Sequence, residues 1–222
     1  MEETLQQVMD RAMAAVEENQ ADTPISTESP KEIKARLLDD FMRARVPTRF
    51  AEARPPHIPG FTKALCEGDG VFMAGPPGIG KTYAAAAIAW AYLDRWAKPN
   101  WEQDGTLSFW PYNLLWVTAP RLMSRIHSTY GRYGGETQEG IIRECVNAKV
   151  MVLDDISAVK TTEHAGEIIQ TILSDRDDEM RFTIVTSNIE FAGIEAWRPG
   201  IASRIARMTR LWLPDEDRRL TK

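Results

Sequence analysis

The 222-residue chain carries 27 Lys+Arg against 32 Asp+Glu, a net charge of −5, with 43% hydrophobic and 27% charged residues. This apolar share is enough to build a core and excludes a wholly disordered chain, and the net acidity excludes a protein coated in nucleic-acid-binding charge while leaving room for a local basic face. At roughly 100 to 200 residues per domain, one full domain plus an appendage is expected.

The acidic, polar-interrupted start MEETLQQVMDRAMAAVEENQ is neither a secretory nor a transit peptide. The longest apolar run, 83–93, falls well short of the ~20 residues that span a bilayer. No membrane partner is expected, and the expected location is the cytoplasm. Cys66 and Cys145 fit no metal spacing and read as buried reduced thiols.

Residues 2–18 have helical periodicity, with Leu5, Val8, Met9, Ala12, Met13 and Val16 forming an apolar stripe on an acidic background. The polar stretch 19–30 reads as a linker. A second helical pattern, 31–45, carries Ile33, Leu37, Leu38, Phe41 and Met42 and is closed by Pro47. Four prolines between 47 and 59 predict an extended strap. From residue 70 onward, apolar runs at 71–74, 114–118, 150–153, 183–186 and 208–213 alternate with helical patterns at 81–96, 120–130, 137–147 and 162–178. Such alternation predicts an α/β domain, a mostly parallel five-stranded sheet with helices on both faces. The expected division is 1–45, a helical partner-binding segment with linker, and 46–222, the α/β domain.

The strongest chemical signal is Gly75-Pro76-Pro77-Gly78-Ile79-Gly80-Lys81-Thr82, which fills G-x-x-x-x-G-K-[ST] between a predicted strand and an alanine-rich helix that runs on through Tyr83. Strand, glycine-rich loop and helix N-terminus together aim backbone N–H groups at an anion. Lys81 then supplies charge to the β and γ phosphates, and the Thr82 hydroxyl is a ligand for Mg²⁺. A chance glycine-rich turn before a helix is the bland alternative.

Val150-Met151-Val152-Leu153-Asp154-Asp155 delivers Asp154 to the edge of the sheet as a Mg²⁺ ligand and Asp155 as the group that orients or deprotonates water. Its alternative is a strand leaving the core through an acidic turn. Thr183-Ile184-Val185-Thr186-Ser187-Asn188 ends with Asn188 placed to hold a lytic water. ATP and Mg²⁺ are the expected cofactors.

Taken in order, these motifs resemble the AAA+ ATPase family, and within it the helicase-loader and transposition-helper clade of DnaC, DnaI and IstB types. The resemblance runs from about Val46 to Arg219. It also includes Val46-Pro47-Thr48-Arg49-Phe50, Val117-Thr118-Ala119-Pro120-Arg121-Leu122-Met123, Asp175-Arg176 and Ala202-Ser203-Arg204-Ile205. It implies a P-loop sheet of order 5-1-4-3-2 and a homo-oligomer with composite ATP sites. Arg204 would act as an arginine finger on the neighbouring protomer's γ-phosphate, and Arg49 and Phe50 would flank the adenine. Arg204 reads otherwise as a solvated residue among Arg198, Arg207 and Arg210, and the Arg49-Phe50 pair as simple packing.

Three features limit what carries over, the first of them shared with several members of the clade. Asp155 stands where most AAA+ proteins have glutamate, so hydrolysis is expected to be slow and partner-stimulated. Ser157 stands where the clade usually has glycine. The sequence ends at Lys222 directly after the fifth predicted strand, so no lid domain is expected.

The resemblance also implies partners: a replicative hexameric helicase docked through residues 1–45, and single-stranded DNA gripped along 121–143. Arg121, Arg125, His127, Tyr130, Arg132, Tyr133 and Arg143 interleave charge with stacking surface there. The competing reading is an amphipathic helix and loop whose arginines merely face water. Trp90, Trp96, Trp101 and Trp110 read mostly as core, with Trp101 a candidate contact. A bacterial or phage helicase loader is the leading expectation. A transposition helper, a small-molecule P-loop kinase and a nucleotide-gated binding module remain alternatives.

Overall fold

The computed structural model describes residues 30–54, 70–96, 100–101, 107–108, 113–131, 134–159 and 162–213. The amphipathic segment 2–18, most of the linker, the prolines at 55, 56 and 59, Cys66, Trp110, the side chain of Trp101, Arg132, Tyr133 and the stretch after 213 lie outside them. The chain forms two compact units, Met1–Lys34 and Ala35–Lys222.

In chain order the described elements are α1 (Pro30–Arg45), β1 (Gly70–Ala74), α2 (Lys81–Trp96), β2 (Asn100–Trp101), β3 (Leu107–Ser108), β4 (Leu114–Thr118), α3 (Ala119–His127), α4 (Gln138–Asn147), β5 (Val150–Asp154), α5 (Glu163–Asp178), β6 (Phe182–Ser187), α6 (Phe191–Trp197), α7 (Pro199–Ile205) and β7 (Thr209–Leu211). Short 3₁₀ turns occupy Thr48–Phe50 and Ile156–Val159. The 3₁₀ turn at 48–50 replaces the extended strap expected there. Its Phe50 N–H bonds the Pro47 carbonyl at 2.7 Å, a local closure that the proline count did not signal.

The main sheet runs β4-β5-β6-β1-β7, every pair parallel. Counting its five strands by sequence gives 5-1-4-3-2, the order implied by the resemblance. Side-chain alternation divides the interior in two. Val71, Met73, Val150, Val152 and Ile184 share one core with Leu38 and Met42 of α1 and Ala84–Ala89 of α2. Phe72, Met151, Leu153 and Val185 face the other, with Leu122, Ile126, Ile141, Ile169, Ile172, Ile194 and Ile201 from α3 to α7. The small alanines let α2 lie close on the sheet. At Gly70 an added Cβ would sit 2.3 Å from the Thr183 carbonyl oxygen, so the β1–β6 approach requires glycine.

Helix starts follow capping chemistry. The Thr118 side chain accepts from Arg121 N–H, and the Thr137 side chain from Gly140 N–H. α6 and α7 were not expected from periodicity, because Gly193, Pro199 and Gly200 interrupt a short pattern; Pro199 opens α7. Cys145 is buried as expected, and burial pushes its thiol up to about 11. Trp96, expected in the core, is 43% exposed at the end of α2, and Trp90 is half-buried with its indole N–H on Asp39 at 3.1 Å. No described helix is long and apolar enough to cross a membrane.

Arg176 is wholly buried and has no carboxylate partner among the described residues. Its guanidinium donates to the carbonyls of Cys145 (2.6 Å), Ala148 (2.6 Å) and Phe182 (2.8 Å) and to Thr183 Oγ1 (2.8 Å). Burial lowers its pKa, yet the fork closes the C-terminus of α4 and the start of β6 together. Arg176→Met orphans these carbonyls at about 1–3 kcal/mol per buried group. A total loss of about 3–5 kcal/mol is expected in urea denaturation. Arg176→Lys should recover only part of it, and a loss below about 1 kcal/mol would contradict this role.

Candidate active site

The C-terminal ends of β1, β5 and β6 open on a cavity of about 400 Å³. Its lining comprises Arg49, Phe50, Pro77, Gly78, Gly80, Lys81, Thr82, Tyr83, Asp154, Asp155, Thr186 and Asn188. Among the remaining residues predicted for the cofactor, Gly75 and Ile79 are buried behind this lining, and Pro76 is exposed beside it.

The loop between β1 and α2 turns through positive φ at Gly75, Gly78 and Gly80 (140°, 100° and 94°), which side chains with a Cβ resist. Lys81 is buried, and its ammonium donates to the Gly75 and Pro76 carbonyls at 2.7 and 2.8 Å. The cation is thereby held against a glycine-rich loop of the kind that can receive an anion.

Facing it, Asp154 ends β5 in a largely buried position. Thr186 Oγ1 donates to its Oδ1 at 2.6 Å, and Thr82 Oγ1 lies 3.3 Å from both carboxylate oxygens. Burial raises the Asp154 pKa, against the lowering effect of the Thr186 and Thr82 hydroxyls, and the neighbouring Asp155 charge raises it further. The Lys81 ammonium offsets only part of this burial, and the converging carboxylate and hydroxyl are hard oxygen donors. They fit Mg²⁺.

Asp155 follows in a left-handed conformation, φ 55°, its N–H held by Thr186 Oγ1 at 2.9 Å. Its Oδ1 accepts from Ser157 Oγ at 2.8 Å and from Asn188 Nδ2 at 2.9 Å, and Ser157 Oγ accepts from Asn188 N–H at 2.9 Å. The structure thus joins Asp155 and Asn188 directly. Thr186 and Ser157 were given no role from sequence, and only the position of Thr186 one turn of the pleat before Asn188 could have flagged it.

Arg204 is not brought to this cavity. Its guanidinium lies on α5, with Nε donating to Ser174 Oγ at 3.2 Å and Nη1 to Asp177 Oδ2 at 3.3 Å, an oxygen shared with Arg207 at 2.9 Å. Arg198 and Arg210 are also engaged, on Gln170 (3.0 Å) and over the Phe191 ring (4.0 Å). The stretch is therefore not simply solvated.

On α3 and α4, Arg121, His127 and Arg143 are exposed. Arg125 is clamped by Glu136 and Glu144, and the bond to Glu136 above all raises its pKa. Arg143 pairs with Glu139 at 2.5 Å. Tyr130 donates to Gln138 Oε1 at 3.1 Å and lies 2.7 Å from His164 Nε2. Much of the basic charge expected to meet DNA is thus matched by glutamate within the chain.

The sequence model of the ATPase family associated with various cellular activities (AAA) matches residues 71–210. The chain belongs to this family. The AAA match begins in β1 and ends in β7, so it touches all five strands of the main sheet and takes in the cavity lining from Pro77 to Asn188, while Arg49 and Phe50 lie before it.

Over 123 residues the chain is 28% identical to the replicative helicase loader DnaC of Buchnera aphidicola subsp. Baizongia pistaciae, covering 55% of this chain and 44% of that one. The chain spans about half the length, or less, of the curated relatives it matches. Its fold resembles that of a putative primosome component from Streptococcus pyogenes serotype M3 (TM-score 0.55, 21% identity, 78% of this chain and 92% of the other). It also resembles AMPPCP-bound DnaA from Aquifex aeolicus (TM-score 0.53, 15% identity, 69% and 44%).

Because the folded state raises the pKa of Asp154 above its unfolded value, the ionised group opposes folding. That penalty is absent well below the unfolded carboxyl value, grows as pH rises from that value to the raised folded one, and is constant above it. Asp154→Asn should therefore melt higher than wild type at neutral pH without nucleotide, with the gap closing toward about pH 4. ATP with Mg²⁺ should raise the melting temperature of wild type and not of the variant. A variant that melts lower than wild type at neutral pH would contradict the strained-carboxylate reading.

Proposed function

We propose that this AAA ATPase binds and hydrolyses ATP as a loader that assembles with a replicative helicase and single-stranded DNA. The observation that carries the ATPase chemistry is the convergence of Lys81, Thr82, Asp154, Asp155 and Asn188 on one cavity. The similarity to the DnaC loader supports the biological role.

In this reading Lys81 and the loop N–H groups hold the β and γ phosphates, while Arg49, Phe50 and Tyr83 border the nucleoside end. Thr82 and Asp154 would hold Mg²⁺, which neutralises phosphate charge when bound. Asp155 accepts a proton from the attacking water, and Asn188 orients it. Aspartate is one methylene shorter than glutamate, which agrees with slow, partner-stimulated turnover.

Arg204 of one protomer completes the site of the next. It must first leave Ser174 and Asp177, so assembly exchanges an internal ion pair for a phosphate contact. Single-stranded DNA would meet Arg121, Arg125, Tyr130, Arg132 and Tyr133, with its phosphates competing against Glu136 and Glu144 for Arg125. Residues 1–45 would dock on the helicase as an amphipathic helix and linker.

Arg204→Ala is expected to leave ATP affinity within about threefold while lowering hydrolysis at least ~100-fold and abolishing oligomers in light scattering. Full activity in that variant would refute the composite site. Removing residues 1–30 should preserve nucleotide binding and end co-purification with a hexameric helicase. A truncated chain that still captures the helicase would refute the docking role.

A further inference from the structure

The residue after the acidic pair and its isoleucine carries a hydroxyl set back from the cavity wall. Ser157 is 9% exposed and does not line the cavity. Its Oγ nevertheless makes two bonds, donating to Asp155 Oδ1 at 2.8 Å and accepting from the Asn188 N–H at 2.9 Å. Asn188 Nδ2 closes a triangle on the same Oδ1 at 2.9 Å. We propose that Ser157 is a positioning residue for ATP hydrolysis, fixing which oxygen of Asp155 takes the proton of water and locking that carboxylate to Asn188.

This rests on the ATPase reading of the site. Asp155 sits at φ 55°, a left-handed conformation uncommon for residues with a Cβ but tolerated by aspartate. Thr186 fixes its N–H, which leaves the carboxylate free to rotate about a broad, nearly two-fold torsion. Ser157 and Asn188 remove that freedom from two sides. Both bonds go to Oδ1, and Oδ2 receives no hydrogen bond from the described residues.

Oδ2 is therefore the acceptor. A water O–H bond breaks, its proton passes to Oδ2, and the water oxygen bonds to the γ-phosphorus. The bond from that phosphorus to its bridging oxygen breaks in turn, leaving ADP and phosphate. Through Ser157 the backbone of the β6 tip moves with the base. A displacement of Asn188 by the γ-phosphate is then transmitted to Asp155. Glycine at 157 would supply neither bond.

The test is steady-state hydrolysis with single-stranded DNA present, comparing wild type, Ser157→Ala, Ser157→Thr, Asn188→Ala and the Ser157→Ala/Asn188→Ala double variant. Ser157→Ala should lower kcat about 10- to 100-fold with KM for ATP within about twofold, the pattern of lost alignment and not of lost binding. Ser157→Thr, which keeps the hydroxyl, should restore most of kcat. In the Asn188→Ala background, Ser157→Ala should cost less than about threefold, because both act through one carboxylate.

The proposal is overturned by an unchanged kcat in Ser157→Ala, by losses that multiply in the double variant, or by a Ser157→Thr no better than alanine. A wild-type chain that hydrolyses no ATP takes the ATPase reading down with it. Wild-type activity with an indifferent Ser157→Ala removes this inference alone.

Discussion

The hydroxyl of Thr186 on the carboxylate of Asp154, 2.6 Å away, is the contact on which the site depends. It joins β6 to β5 at the edge where both strands end, and the same oxygen accepts the N–H that holds Asp155 in its left-handed turn. Thr82 approaches the same carboxylate from the start of α2, so three elements meet at one buried charge. Burial makes that charge unfavourable, and the hydroxyls only partly offset it. A divalent cation would offset that burial, and the ordering of Asp155 and Asn188 follows from the same anchor.

The opposite end of the sheet is secured by a different polar device. Arg176 draws the end of α4 onto the beginning of β6 through Phe182 and Thr183, while Thr186 fixes the strand's other end. Between them β6 is buried at every position, with β1 and β5 paired on either side. Gly70 lets β1 close on Thr183, and the alanines of α2 bring Lys81 and Thr82 to the same edge. Precision at the mouth of the cavity thus derives from a strand that is held at both ends.

How much of this the sequence disclosed depends on the range of the interaction. β1, β4, β5, β6 and β7 were legible as apolar runs, and Gly75 to Thr82 as a loop, because those signals are local. The strand order came from the resemblance, since pairing is set by contacts distant in sequence. α6 and α7 escaped because glycine and proline break the period of helices only seven residues long. The bonds of Ser157 and Thr186 bridge residues about thirty positions apart and leave no periodic trace. Nor did the arginine-rich stretches reveal that Glu136, Glu144 and Asp177 would meet Arg125 and Arg204, because ion pairing depends on which helix faces lie together.

The central claim is that a buried carboxylate and a loop lysine together form an ATP site that a divalent cation completes. Its most direct measurement is the affinity for a fluorescent ATP analogue with Mg²⁺ and with EDTA, in wild type and in Lys81→Ala. The account predicts binding at least about tenfold tighter with Mg²⁺ in wild type and no measurable binding in the variant. Binding that is indifferent to Mg²⁺, or that survives in Lys81→Ala, would contradict it.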